Sequence, residues 1–243
     1  MKNSLRVLGL ICSGVFLPGQ AFAENPLATS GLTFSGNLGF VTDYSFRGIS
    51  QSDEGAALQG GVDLNHTSGL YAGVWGSNVD FNDGDEANLE VDLFAGFSNQ
   101  FSGLNYDLGL IYYAYPGADD SLDYDYWEFA ASIGYDFDVV ALTASFNYSP
   151  EFFANSGDAE YYVLAFDAPV FKGLSVTGHL GHQDIDDNAA LGIEDYNDWS
   201  LGLGYSLYGF DASLQYVDTD LDEPDECADG CDARLVFGLS RSF

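Results

Sequence analysis

Basic side chains are nearly missing from this sequence. Its 243 residues carry 6 Lys and Arg against 38 Asp and Glu, a formal net charge of −32. A nucleic-acid-binding surface needs a basic stripe, which this chain cannot supply, so nucleic acid is excluded as a partner. Methionine occurs once, at the start, and Lys and Arg are scarce, while Gly, Tyr and Phe abound. That balance argues against a helical domain and for strands. No stretch beyond the first 23 residues holds 18 consecutive apolar residues, so no transmembrane helix is expected. Disorder is excluded as well, because 47% of the residues are hydrophobic and 16% aromatic.

The first 23 residues read as a secretory signal. Lys2 and Arg6 give the positive start, Val7 to Leu17 the apolar centre, and Ala21-Phe22-Ala23 a small-x-small cleavage site. Cleavage would leave a chain beginning at Glu24, with residues 24–31 as a short periplasmic segment before the barrel of 32–243. Cys12 lacks the preceding residues of a lipoprotein cysteine. Past residue 23 the only basic side chains are Arg47, Lys172, Arg234 and Arg241. Cys227 and Cys231 also remain, and export makes a disulfide between them the expected state.

The dominant periodicity is two. Val140, Leu142, Ala144, Phe146 and Tyr148 alternate with Thr143, Ser145 and Asn147; Leu174, Val176, Gly178 and Leu180 alternate with Ser175, Thr177, His179 and Gly181. The polar face is small and nearly free of Lys. A soluble sandwich shows charged residues to water, whereas a membrane barrel turns its apolar face to lipid and a polar face to the lumen. Twelve strands are expected near 32–46, 57–66, 70–80, 88–98, 104–115, 124–136, 139–149, 160–169, 174–183, 196–207, 210–217 and 233–243. On the third, Tyr71, Trp75 and Val79 compete with Leu70, Ala72 and Val74 for the outward face.

The connections alternate in length. Thr67-Ser68-Gly69, 99–103, Phe137-Asp138, 170–173 and Tyr208-Gly209 are short, while the others are long and hold most of the acids. This is the pattern of short periplasmic turns and long extracellular loops. The expected fold is therefore all-β: a transmembrane antiparallel up-and-down β-barrel in the cell outer membrane, with both termini in the periplasm. Leu235, Phe237, Leu239, Arg241 and Phe243 alternate to the last residue, a pattern suited to the outer-membrane assembly machinery, with Arg241 as a departure. The surrounding partners would be outer-membrane lipid and lipopolysaccharide. Tyr44, Phe46, Tyr112, Tyr135, Tyr148, Tyr205 and Tyr216 fall near strand ends, where aromatic girdles form.

Two stretches carry a resemblance. Residues 40–81 contain Asp43-Tyr44-x-Phe46-Arg47-Gly48-Ile49-Ser50-Gln51-Ser52 and Gly69-x-Tyr71-Ala72-Gly73-Val74-Trp75. Residues beyond these add Glu90, Tyr113-x-Tyr115-Pro116-Gly117 and Tyr126-x-Glu128. These resemble the Gcw_chp family of bacterial outer-membrane proteins, also called TorF-family porins, most clearly over 32–137. The resemblance implies a signal peptide, a transmembrane barrel and a channel role, with no defined substrate.

With the apolar face outward, Asp43 and Arg47 point into the lumen, as do Asp63, Glu90, Asp92, Asp107, Tyr113, Tyr126 and Glu128. Arg47, Glu90, Asp92 and Glu128 would form a polar ring near the extracellular ends, with Arg47 as its one fixed positive charge. An open ring of carboxylates favours cations. A closed network in which Arg47 neutralises Glu90 would instead plug the barrel. The expected function is a porin for passive diffusion of small solutes, with cation or neutral preference. The alternative is a surface barrel whose acidic loops bind a partner or divalent cations.

No cofactor, metal site or catalytic residue is expected. Asp80-Phe81-Asn82-Asp83-Gly84-Asp85 resembles an EF-hand start but has its Gly one place early, and Asp184-x-Asp186-x-Asn188 lacks the Gly altogether. His179 is the one lumen-facing candidate base, and no nucleophile can be placed beside it from the sequence.

Overall fold

A computed structural model describes residues 30–82, 84 and 87–243. The signal at 1–23, residues 24–29, and Asp83, Asp85 and Glu86 of the EF-hand-like stretch lie outside the described residues.

The strands are β1 (Leu32–Val41), β2 (Ser45–Phe46), β3 (Ile49–Ser50), β4 (Ala57–His66), β5 (Leu70–Asn78), β6 (Leu89–Phe101) and β7 (Leu104–Ala114). They continue with β8 (Tyr126–Asp136), β9 (Ala141–Ser149), β10 (Ala159–Phe171), β11 (Leu174–Ile185), β12 (Tyr196–Leu207), β13 (Phe210–Thr219) and β14 (Arg234–Ser242). β1 and β4–β14 close one antiparallel barrel of twelve strands, each hydrogen-bonded to its neighbours in the chain. The ring shuts where β1 pairs with β14 over Asn37–Val41. Beyond that ladder the backbones of Gly36 and Phe243 exchange two hydrogen bonds of 2.9 Å. No helix among the described residues is long and apolar enough to cross a membrane.

The period-two pattern sorts side chains as the pleat demands. Leu58, Leu108, Phe129, Leu164, Leu201 and Leu214 are exposed on the outer wall. In water such a surface would be an aggregation hazard, but against lipid it is the solvated face. Gln59, Glu90, Asp107, Glu128 and Asn147 are buried in the interior. On β5 the competition resolves with Leu70 and Ala72 outward. Tyr71 turns inward and donates to Asp107 at 2.7 Å, and the Trp75 ring meets Tyr44 with centroids 5.6 Å apart.

The two ends of the barrel differ. At one end the turns are tight. Ser102-Gly103 and Tyr208-Gly209 have positive φ at both central residues, the two-residue hairpin geometry that matches strand twist. Here β6 and β10 run further into their turns than the sequence pattern suggested. The other end carries the long loops. Tight turns at one end and long loops at the other are the asymmetry on which the sequence pattern assigns the turns to the periplasm and the loops to the outside.

The first strand departs most from expectation. β1 ends at Val41, not near residue 46, and residues 42–56 bend into the mouth of the barrel. The cause is local. The Asp43 carboxylate accepts from the Ser50 and Ser52 hydroxyls at 2.6 and 3.1 Å, which turns the chain back on itself. β2 and β3 then pair as a small ribbon across Arg47-Gly48, whose φ values of 48° and 83° make the tight turn. Tyr44 and Phe46 are consequently not girdle residues: Tyr44 is buried and Phe46 half-buried inside the mouth. Tyr112, Tyr135, Tyr205 and Tyr216 do face outward, with Tyr112 against Trp127 at 4.6 Å.

Candidate functional site

The site is built by the loop 42–56 and the wall it touches. Arg47, at the tip of the β2–β3 turn, lies across the lumen. Its Nη1 donates to Gln183 Oε1 on β11 at 2.6 Å, and its Nη2 donates to Glu128 Oε2 on β8. The guanidinium stacks on the Tyr161 ring at 4.3 Å and the Phe46 ring at 4.7 Å. Glu128 Oε1 accepts from Asn147 Nδ2 at 2.7 Å and from the Tyr113 hydroxyl at 3.3 Å. Tyr113 in turn stacks on Tyr126, centroids 4.4 Å apart and planes 14° apart. Both oxygens of Glu128 and both terminal nitrogens of Arg47 therefore have a partner, which helps make a buried charge tolerable.

Arg47 pairs with Glu128 and not with Glu90. Both oxygens of Glu90 are taken by phenols, Tyr44 at 2.7 Å and Tyr115 at 2.9 Å. Burial, followed by the nearby Glu90 charge, holds the Tyr115 hydroxyl well above the usual tyrosine range, so it remains a donor. Asp92 lies one inward position along β6, buried, with its Oδ1 lacking a hydrogen-bond partner among the described residues.

Arg47 is also not the one fixed positive charge. Arg234, at the start of β14, donates through Nε to Asp43 Oδ2, through Nη2 to Ser45 Oγ at 3.1 Å and through Nη1 to the Gly230 carbonyl at 2.9 Å. The same carbonyl accepts from Ser50 N–H at 2.8 Å. Gly230 lies between Cys227 and Cys231, which form a disulfide. The last long loop thus clamps the first. Glu223, near both sulfurs, spends Oε1 on the N–H groups of Cys231 and Asp232, at 2.6 and 3.1 Å. With the sulfurs joined and that carboxylate oxygen occupied, this trio offers a metal little.

At the loop's level the lumen holds Asp43, Glu90, Asp92, Glu128 and Asp198 against Arg47 and Arg234. Toward the tight-turn end several inward positions are small. Ser132, Thr143, Ser175 and Gly204 line this half, the Phe94 and Tyr71 rings lie over Gly73 and Gly96, and Asp63, Asp107, Asp167 and Asp211 are acids on its inward face. Arg47 thus lies where the loop-filled mouth gives way to the tight-turn half.

One constellation was missed in the sequence. Ser200 Oγ lies 2.7 Å from His179 Nδ1, and His179 Nε2 meets Asp198 Oδ2. Asp198 Oδ1 accepts from the Tyr161 hydroxyl at 2.8 Å. The signal was the pairing of His179 with Ser200 across β11 and β12, with Asp198 two residues along on the same face. Gly181 makes room for it: a Cβ there would sit 2.2 Å from Asp198 Oδ1. A serine hydrolase would also need oxyanion donors. β12 is laddered on both sides, to β11 and β13, so its backbone N–H groups around Ser200 are already committed. The arrangement is a hydrogen-bonded chain that fixes Tyr161 beneath Arg47.

A family model described as a bacterial protein of unknown function (Gcw_chp) matches residues 25–243. No curated protein sequence matches the chain. Among solved structures, a KdgM porin superposes with a TM-score of 0.60 at 8% identity, covering 86% of this chain and 99% of that one. A NanC porin gives 0.57 at 8% identity, covering 87% and 99%. An outer-membrane channel from Pseudomonas putida F1 gives 0.51 at 13% identity, covering 94% and 100%. The architecture is that of an outer-membrane barrel.

Proposed function

This chain belongs to the Gcw_chp family, and we propose that it is an outer-membrane channel for small solutes, with a preference for cations or neutral molecules. The observation that carries this reading is the excess of acidic over basic side chains in the lumen at the level of Arg47. Five carboxylates stand there against two guanidiniums, and each guanidinium is already paired. A water-filled path past such a wall favours cations and repels anions. The acidic loops around the mouth reinforce the field over about 8 Å at physiological salt.

The test is single-channel current through the refolded protein in a planar bilayer under a KCl gradient. Cation-selective steps are expected, with selectivity falling in the Glu90→Gln, Asp92→Asn variant. An anion-selective reversal potential would overturn the preference. Silence from both the wild type and a variant lacking residues 45–50 would overturn the channel.

The loop-filled mouth favours a second reading, a surface barrel whose acidic extracellular loops bind a partner or divalent cations. Deleting a loop would then abolish function while the barrel stays intact and its conductance is irrelevant.

A further inference from the structure

Above the β2–β3 ribbon, at the long-loop end, lies a cavity of about 290 Å³. This is near the lower edge of the range of small-molecule pockets, roughly 300–1,000 Å³. Its wall is aromatic. Phe81, Tyr115, Tyr124 and Phe153 form one cluster, with Tyr124 stacked on Phe153 at 4.3 Å and Phe81 edge-on to the other three at 5.4–5.7 Å. The floor includes Phe46 and Phe152.

The charges around this cavity have one sign. Asp53, Asp80 and Asp229 line it, and among the described residues no Lys or Arg does. All three aspartates are exposed. Arg47 lies near the Phe46 and Phe152 rings, but its charge is met by Glu128. Arg234 reaches the Gly230 carbonyl at the edge, but its charge is met by Asp43. The cavity is also held open by structure. Asp80 N–H donates to the Gln51 carbonyl at 2.9 Å, and Ser50 N–H to Gly230, tying three loops around the space.

We infer that this cavity binds a small organic cation with an apolar or aromatic body, an amine or quaternary ammonium compound. Aromatic faces attract such a cation through their quadrupole and shelter its hydrocarbon part. The three carboxylates supply the countercharge that the walls lack. The acidic loops raise the local concentration of cations at the mouth. Anions meet repulsion on every side, and a neutral molecule gains the walls but nothing from the rim. The inference rests on the reading that the long-loop end faces the medium, and it adds the class of solute that the mouth would capture first.

The test is direct binding to the full refolded chain in detergent micelles, which does not depend on whether the barrel conducts. Benzyltrimethylammonium is titrated by calorimetry beside benzyl alcohol, benzenesulfonate and maltose. Saturable binding of the cation is expected, at least tenfold tighter than that of the other three. The Asp53→Asn, Asp80→Asn, Asp229→Asn variant, altered only at exposed positions, should lose tenfold or more for the cation and keep its weak affinity for benzyl alcohol. Phe153→Ala should weaken both. Equal binding of all four probes, tighter binding of maltose, or no saturation by the cation up to 10 mM would overturn the proposal. Conductance without cation binding would overturn this inference and leave the channel standing; binding without conductance would do the reverse.

Discussion

Arg47 reaches Glu128 across the lumen, from a loop rooted on β1 to a strand five places round the ring. Its other hand reaches Gln183 on β11, four places round in the opposite sense. One guanidinium therefore ties two distant walls to the first loop. Both side chains of the ion pair are almost fully buried, at 6% and 1% exposure.

Removing one partner of that pair should be costly. Glu128→Gln leaves a buried cation without its countercharge, and a loss of about 3–5 kcal/mol is expected. Urea unfolding of the refolded barrel in micelles measures it. The joint Arg47→Met, Glu128→Leu variant should recover most of the loss, because neither charge is then stranded. Equal stability of Glu128→Gln and the wild type would mean the pair contributes nothing.

The ribbon itself should set the conductance. Deleting residues 45–50 takes away Arg47 and the turn but none of the twelve barrel strands. Single-channel current should rise several-fold with the barrel still resistant to unfolding. An unchanged current would show that solute does not pass where the loop lies.

Gly48 is a finer probe of the same contact. Its φ is +83°, and a Cβ there would sit 2.5 Å from Thr219 Cγ2 and 2.8 Å from Asp198 Cβ. Gly48→Ala should cost about 1–3 kcal/mol through strain and overlap. It should also make the current noisier as the tip lifts from β12 and β13. A quiet current and an unshifted unfolding midpoint would argue that the tip has slack.

The disulfide acts on the loop at one remove, through the Gly230 carbonyl that holds Ser50 and Arg234. Dithiothreitol should therefore speed tryptic cleavage after Arg47, one of few basic positions in the chain. Gel analysis of the fragments reads this. Identical cleavage rates with and without reductant would uncouple the two loops.

Ser200 should prove dispensable for any chemistry. The refolded barrel is expected to release no p-nitrophenol from p-nitrophenyl butyrate above a lipid blank. Release that disappears in Ser200→Ala would make the His179 chain a hydrolytic site after all.

Much of this was legible in the sequence, for a physical reason. Side-chain direction in a strand depends only on parity, so alternation assigned Glu90, Asp92, Asp107 and Glu128 to the interior without knowledge of any contact. The pairing of Arg47 was not legible, because it depends on how a loop folds after β1 stops, and parity says nothing about a turn with positive φ. Nor was Ser200 beside His179, since that needs the register of β11 against β12, and one residue of slip would have set them apart. Arg234 was overlooked as the first residue of the last strand, although its parity already pointed it inward.

The seam between the first and last strands has a consequence for how the barrel comes together. Every other neighbouring pair lies close along the chain, joined by a turn or a loop, but β1 meets β14 only after some two hundred residues of chain have been laid down, and over the short ladder Asn37–Val41. Toward the tight-turn end, Leu32–Ser35 pair with β4 outside the ladder that β1 makes with β14. Closing this joint is thus the step of largest entropy cost and smallest immediate return. An inserting sheet would curl with the joint still parted, and the contacts from β14 to the first loop, Arg234 to Asp43 above all, would lock it once shut. The first loop is in this sense the latch of the assembled ring as well as the stopper of its mouth.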